Sequence, residues 1–283
     1  MEPLCWCRER LLVRGNPLTA SLQFAPSGLQ DQILALRAVI TEIASISGHV
    51  SEPDVARAKM DWWGGALHEE LPHPAVQALI KSGAASRLDH ERFRSLIDGV
   101  MLTLDSRRFE RREQAWEYFL TVGGPAAALE AELAGGGEPT INRLAVLGAV
   151  SCLVRQVRDL AVDARQNRWL VPLDIQAEFQ VTRSDALAAE ASAGFNGMVR
   201  QWLSDGFRRS ESVIRELSPD EAWRHRHLLI QHELDRRLAI KMARKPQRIL
   251  ERRLLPGQIG NAWTAWRSAR RLRRALGHNP KVL

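Results

Sequence analysis

Residues 144–172 read LAVLGAVSCLVRQVRDLAVDARQNRWLVP, a stretch whose apolar positions recur every three or four residues and whose last turns gather charge. Leu144, Leu147, Val154 and Val157 fall on one stripe, as an α-helix of about 3.6 residues per turn requires. On that geometry Cys152, Arg155, Gln156, Asp159 and Asp163 run along one side, with Asp159 and Asp163 about one turn apart. Such a pair can hold Mg2+, an ion that takes one or two carboxylates and fills its other positions with water and phosphate oxygens. A plainer reading pairs Arg155 with Asp159 and Asp163 with Arg158 or Asn167, a solvated face worth roughly 0.3 kcal/mol per pair.

The same period extends outward from this helix. Leu29, Ile33, Leu36, Ile40 and Ile43 repeat it, and strand-like alternation is nearly absent. Turn signals separate the runs at Pro53, 71–74, 123–125, 135–139, Pro172, 218–219, 245–246 and 256–257. Ser51 before Glu52 and Pro53, and Ser218 before Pro219, Asp220 and Glu221, read as helix caps with acids in the first turn. No repeat of fixed length occurs, and Gly135–Gly137 is too short a connector to separate domains. The pattern predicts an all-α protein built as one helical bundle: a flexible N-terminal segment over 1–14, a helical domain over 15–256, and a basic amphipathic C-terminal helix and tail over 257–283.

The string R-D-x-x-x-D-A-R-x-x-R-x-x-x-P, formed by Arg158, Asp159, Asp163, Ala164, Arg165, Arg168 and Pro172, resembles the second aspartate-rich motif of the squalene and phytoene synthase family. Shorter segments follow in the family's order: VSEP at 50–53, MDWW at 60–63, HPAVQAL at 73–79, LIDG at 96–99, and 116–124 with Tyr118 in the tyrosine position. The resemblance covers about residues 15–256. It implies a prenyl-synthase-like bundle with a central cavity, two aspartate motifs on facing helices, and an apolar tunnel between them. Such enzymes bind two prenyl diphosphates through Mg2+ and join them head to head. For this chain the resemblance implies Asp159 and Asp163 as metal ligands, Arg158, Arg165 and Arg168 as diphosphate contacts, and Tyr118 along the cation path.

The pattern breaks on the helix before VSEP. Where active relatives read like E-I-D-D-I-V-D-E-V, this chain has EIASISGHV at 42–50, so Ala44, Ser45 and Gly48 stand at lost motif positions. Neither Ala44 nor Gly48 has a side-chain oxygen, and a serine hydroxyl does not offset the charge of Mg2+. Arg155 replaces the family's asparagine, Cys152 its usual glutamine and Val162 a frequent glutamate. Arg37, Thr41 and Thr103 likewise stand at the usual tyrosine, phosphate-facing arginine and aspartate. A permanently charged guanidinium competes with metal, which makes Arg155 the candidate substitute for the ion. The expectation is a catalytically degenerate relative that binds an isoprenoid or lipid or serves as an assembly factor, as the family's complex I assembly branch does; the alternative is an active, Mg2+-dependent transferase. In the degenerate case no cofactor is expected, and a protein partner is expected if it is an assembly factor.

Composition adds a partner class. The 283 residues carry a net charge of +7. From Arg236 to Arg274 there are thirteen Lys or Arg and one acid, Glu251. Trp263 and Trp266 lie among Arg267, Arg270 and Arg271, the composition of a helix that rests on an anionic membrane surface. No nucleic-acid module or phosphate loop is visible. Three cysteines, two of them one residue apart, fit a reducing compartment, and no stretch offers about 20 apolar residues free of charge. The expected location is cytoplasmic, peripheral on a membrane. His225 and His227 project to different helix faces, which disfavours a shared zinc site.

Overall fold

The computed structural model describes residues 2–49, 52–105, 107–255 and 257–277. The VSEP segment at 50–53, including the cap expected at Ser51, lies partly outside them. Among the described residues there are fourteen α-helices and no strand. In chain order these are α1 (Pro3–Leu11), α2 (Leu18–Ser21), α3 (Gln30–His49), α4 (Pro53–Gly64), α5 (Pro74–Lys81), α6 (His90–Met101) and α7 (Arg112–Leu133). Then come α8 (Glu138–Arg165), α9 (Leu173–Phe179), α10 (Ala193–Arg215), α11 (Pro219–Arg224), α12 (Arg226–Arg244), α13 (Gln247–Glu251) and α14 (Gln258–Gly277).

The antiparallel pair α7 and α8 forms the spine. Gly123 and Gly148 make their close approach possible: a Cβ on either would lie 2.3 or 2.1 Å from the other's carbonyl oxygen. The turn expected at 123–125 is not made, and α7 runs straight through Pro125. Proline has no N–H to give the carbonyl of Thr121. That carbonyl instead faces Gly99 of α6, where an added Cβ would sit 2.3 Å from the oxygen. Tertiary packing thus overrides the local helix-breaking signal.

On one side of the spine, α1, α3, α5 and α6 bury Ile33, Leu34, Leu79 and Leu96 against Leu129 and Leu133 of α7. On the other, α8, α10 and α12 bury Val154, Val157, Phe195, Trp202 and Leu238. The predicted cap at Ser218 is made, as a capping box with Glu221.

Most of the N-terminal segment over 1–14, expected to be flexible, is helical. Pro3–Leu11 is a helix whose first turn is capped by Glu2, and Cys7 and Leu11 are buried in the core. Arg8 pairs with Asp31 and Arg10 with Glu42, tying α1 to α3. The apolar stripe Cys7–Leu11 is only two residues wide, so it carries almost no periodic signal on its own.

Candidate functional site

Asp159 and Asp163 both sit on the last turns of α8, and arginines surround them. Asp159 accepts hydrogen bonds from Nε and Nη2 of its neighbour Arg158 at 2.9 and 2.6 Å. It also accepts a fork from Arg253, just after α13, with both N–H···O distances 2.8 Å. Burial alone raises the Asp159 carboxyl, but the two guanidiniums outweigh it and hold the group below the usual carboxylate range. Asp163 accepts from Arg168 Nη2 at 2.6 Å and from Gln156 Nε2 at 2.9 Å. For Asp163 burial wins, helped by the neighbouring Asp159 charge, and its carboxyl is pushed up.

The role expected for Arg155 is therefore corrected. Arg155 lowers the Cys152 thiol and the Asp235 carboxyl, and the guanidiniums bonded to Asp159 are those of Arg158 and Arg253. The partner that neutralises Asp159 across the bundle is Arg253, 94 residues away in sequence. Arg158 turns onto its own neighbour, Arg168 onto Asp163, and Arg165 is exposed. Tyr118, on α7, is half-buried, and burial pushes its phenol up. It lines a cleft of about 600 Å³ with Arg107, Arg108, Phe109 and Glu117.

At the end of α3 the lost motif positions look outward. Ala44 and Gly48 are exposed, and a Cβ added at Gly48 would meet no atom within 4 Å. The Ser45 hydroxyl donates to the Glu42 carbonyl at 2.7 Å and borders a cleft of about 400 Å³ with Lys59, Trp62, Trp63 and His73. Glu42, the acid of that turn, is held by Arg10. Mg2+ needs free hard oxygens with net negative charge. Here one wall offers neutral groups and the other offers carboxylates already engaged by guanidiniums. Among the described residues, no three His, Cys, Asp or Glu side chains converge as a metal site would require. The donor set does not fit the ion.

Between α3, α7, α8 and α12 lie polar groups that the sequence patterns did not reveal. Arg37 of α3 forms an ion pair with Glu130 of α7, whose side chain is only 2% exposed. Desolvation raises the Glu130 carboxyl, against the pull of Arg37. His227 of α12 lies 3.8 Å from the same carboxylate, yet burial drives its pKa to about 3, so the ring is neutral. Further along α12, Asp235 accepts from Ser151 of α8 and from Gln231 at 3.4 Å, while Ser21 of α2 donates to Gln231 at 3.1 Å. Arg37 and Arg155 both lower the Asp235 carboxyl, although its burial wins and raises it. These charged and hydroxyl groups lie inside the bundle for which the resemblance implies an apolar tunnel. The signal that could have found them is an acid inside an apolar stripe, as Glu130 is in AALEAEL at 127–133.

An all-helical bundle with this arginine- and aspartate-bearing motif at the end of α8 defines the class of trans-prenyl synthase folds. A model of squalene/phytoene synthase matches residues 16–275, and the chain belongs to that family. It is similar to the phytoene synthase of Arthrospira platensis, with 25% identity over 53% of this chain and 54% of the relative. The 15-cis-phytoene synthase of Synechococcus elongatus is 26% identical over 52% of this chain and 53% of that protein. The chain thus matches about half the length of these relatives. A dehydrosqualene synthase solved with a ligand has a similar fold, with a TM-score of 0.74 at 14% identity and coverage of 98% of this chain and 97% of the other. The squalene synthase HpnC of Alicyclobacillus acidocaldarius gives 0.68 at 16% identity over 86% and 94%.

Proposed function

We propose that this chain is a catalytically degenerate member of its family, acting in isoprenoid or lipid binding or as an assembly factor, in the cytoplasm and peripheral on an anionic membrane surface. The observation that carries the reading is the state of the two walls. Ala44, Ser45 and Gly48 offer no carboxylate, and Asp159 is gripped by Arg158 and Arg253. A diphosphate leaving group develops negative charge that must be met by a preorganised cation. Arg158 and Arg168 are engaged by Asp159 and Asp163, and the exposed Arg165 alone is no preorganised electrophile for the ionisation of a prenyl diphosphate. No Mg2+ is proposed for the resting protein. The polar groups at Arg37, Glu130, His227 and Asp235 suit a long hydrocarbon poorly, so the isoprenoid or lipid binding proposed lies away from them. Among the described residues no helix is long and apolar enough to cross a membrane, which leaves surface association as the form of membrane contact proposed.

The opposite reading, an active transferase, draws on the register of Asp159, Asp163, Arg165, Arg168 and Tyr118. Incubation of the purified protein with farnesyl or geranylgeranyl diphosphate and Mg2+ separates the two. The expected result is no head-to-head product and no cyclopropyl intermediate, and turnover to either would overturn the proposal.

A further inference from the structure

Helix α14 wears its large apolar residues on the wrong side for a soluble packing helix. Its inner face, set against Ile230 and Leu234 of α12, consists of Asn261, Ala265, Ser268 and Ala269, all buried. Its outer face carries Ile259, Trp263 and Trp266, which are 88%, 60% and 44% exposed, and Leu255 just before the helix is 60% exposed. Positions 259, 263 and 266 are spaced four and three apart and so share one stripe. An amphipathic helix that owed its position only to the core would place these residues inward, since each exposed large side chain forgoes roughly 2 kcal/mol of burial. Small residues inside and tryptophans outside mean that the outer stripe is built for a second apolar phase.

The charges beside the stripe say which phase. The Trp263 and Trp266 rings stack with centroids 5.0 Å apart, and the Arg270 guanidinium sits 5.3 Å from the Trp266 centroid. Trp266 and four arginines, Arg267, Arg270, Arg271 and Arg274, border a groove of about 440 Å³. The helix contains no acid, and Glu233 of α12 lies 3.9 Å from Arg271. Indole rings prefer the boundary between acyl chains and headgroups, while arginine forks match phosphate oxygens. A protein partner would need both an acidic and an apolar face at the same spacing; an anionic bilayer offers both along its whole surface.

We propose that the outer face of α14 is a bilayer-docking surface, with Ile259, Trp263 and Trp266 seated in the interfacial layer and Arg267, Arg270 and Arg271 holding anionic phospholipid headgroups. This deepens the membrane aspect of the function proposed above by assigning it to named residues, and it is independent of whether prenyl transfer survives.

The test is co-sedimentation of the full chain with phosphatidylcholine vesicles, with and without phosphatidylglycerol, in parallel with a prenyl diphosphate turnover assay on the same preparation. Binding is expected only to the anionic vesicles and weakens as salt rises. The R267Q/R270Q/R271Q variant is expected to bind them on the order of a hundredfold more weakly, at about 1 kcal/mol per arginine. The W263A/W266A variant is expected to lose the tryptophan quenching that brominated acyl chains produce in the wild type. Both variants alter exposed positions, and far-UV circular dichroism and thermal unfolding check that the bundle remains. Equal binding to neutral vesicles, or arginine and tryptophan variants that bind like the wild type, would overturn the assignment. So would absence of vesicle binding together with retention on duplex DNA, or a solution dimer abolished by W263A/W266A. Turnover in the parallel assay would defeat the degenerate reading and leave the docking surface standing.

Discussion

At the end of α3, positions 44, 45 and 48 have neutral side chains, and Ala44 and Gly48 open outward; at the end of α8, Asp159 and Asp163 keep their carboxylates inside a set of guanidiniums. The first wall carries no acid at these positions and needs no compensation, because an alanine or glycine at an exposed position leaves nothing unsatisfied. The second has kept partly buried acids, and these require positive charge whether or not a metal supplies it. Arg158 and Arg253 supply it at Asp159, and Arg168 at Asp163. The acids of α8 are held by guanidiniums, while the α3 positions present no acid that would need one. Deeper in the bundle Arg37 likewise pairs with a buried acid, Glu130.

The largest expected effect tests whether arginine has become structural. Arg37→Ala leaves Glu130 without its cation in the interior and should destabilise the protein by about 3 kcal/mol, read by urea unfolding. Replacing both partners, Arg37→Met with Glu130→Gln, should recover most of that loss. A single-variant loss below about 1 kcal/mol would show that the pair contributes little.

Next in size is a contrast between the two acids on α8. Asp159 has a depressed carboxyl pKa, so its stabilisation is present above the unfolded value near ~3.9 and is lost as pH falls through the lower folded value. Asp163 has a raised one, so its ionised form costs stability above the folded value, and that cost disappears as pH falls toward the unfolded value. Asp159→Asn should therefore cost about 2 kcal/mol at pH 7 and flatten the acid side of the stability profile. Asp163→Asn should cost less than about 1 kcal/mol, or stabilise, and remove an opposite slope. Equal losses in both variants would erase the distinction.

Smaller still is the effect of opening the substituted site. The Arg253 side chain is 57% exposed, so Arg253→Ala should change stability by less than about 1 kcal/mol. By itself it should bring no Mg2+ binding by calorimetry, since Asp159 keeps Arg158, Asp163 keeps Arg168 and the α3 wall stays neutral. The smallest effect belongs to the other wall. The triple variant A44D/S45D/G48D should change stability by about 0.5 kcal/mol or less, because Ala44 and Gly48 face open space, and by itself should restore no turnover. Product from the triple variant alone would mean that the arginines on α8 do not block the chemistry.

The readings that came through from sequence were local ones. The period of LAVLGAV and its continuation gave the helix and the side on which Asp159 and Asp163 lie, and Ser218 with Glu221 gave a capping box. The reading failed where a distant segment decided the outcome. Pro125 reads as a turn until Gly99 and Gly148 are seen packed against α7, and Arg155 reads as the partner of Asp159 until Arg253 is brought across. The burial of Glu130 and Asp235 likewise depends on the approach of α3 to α7 and of α8 to α12.

By itself the sequence determined that the chain is helical, which family its motifs match, and that three metal-side positions carry no acid. These follow from side-chain identity and from a repeat that closes within a turn or two. Tertiary structure alone decided which arginine holds which aspartate, that the N-terminal residues pack as a helix, and that α14 turns its tryptophans outward. Each of those depends on which surfaces meet, and burial and Coulomb energies vary with the approach of segments that the local period does not encode.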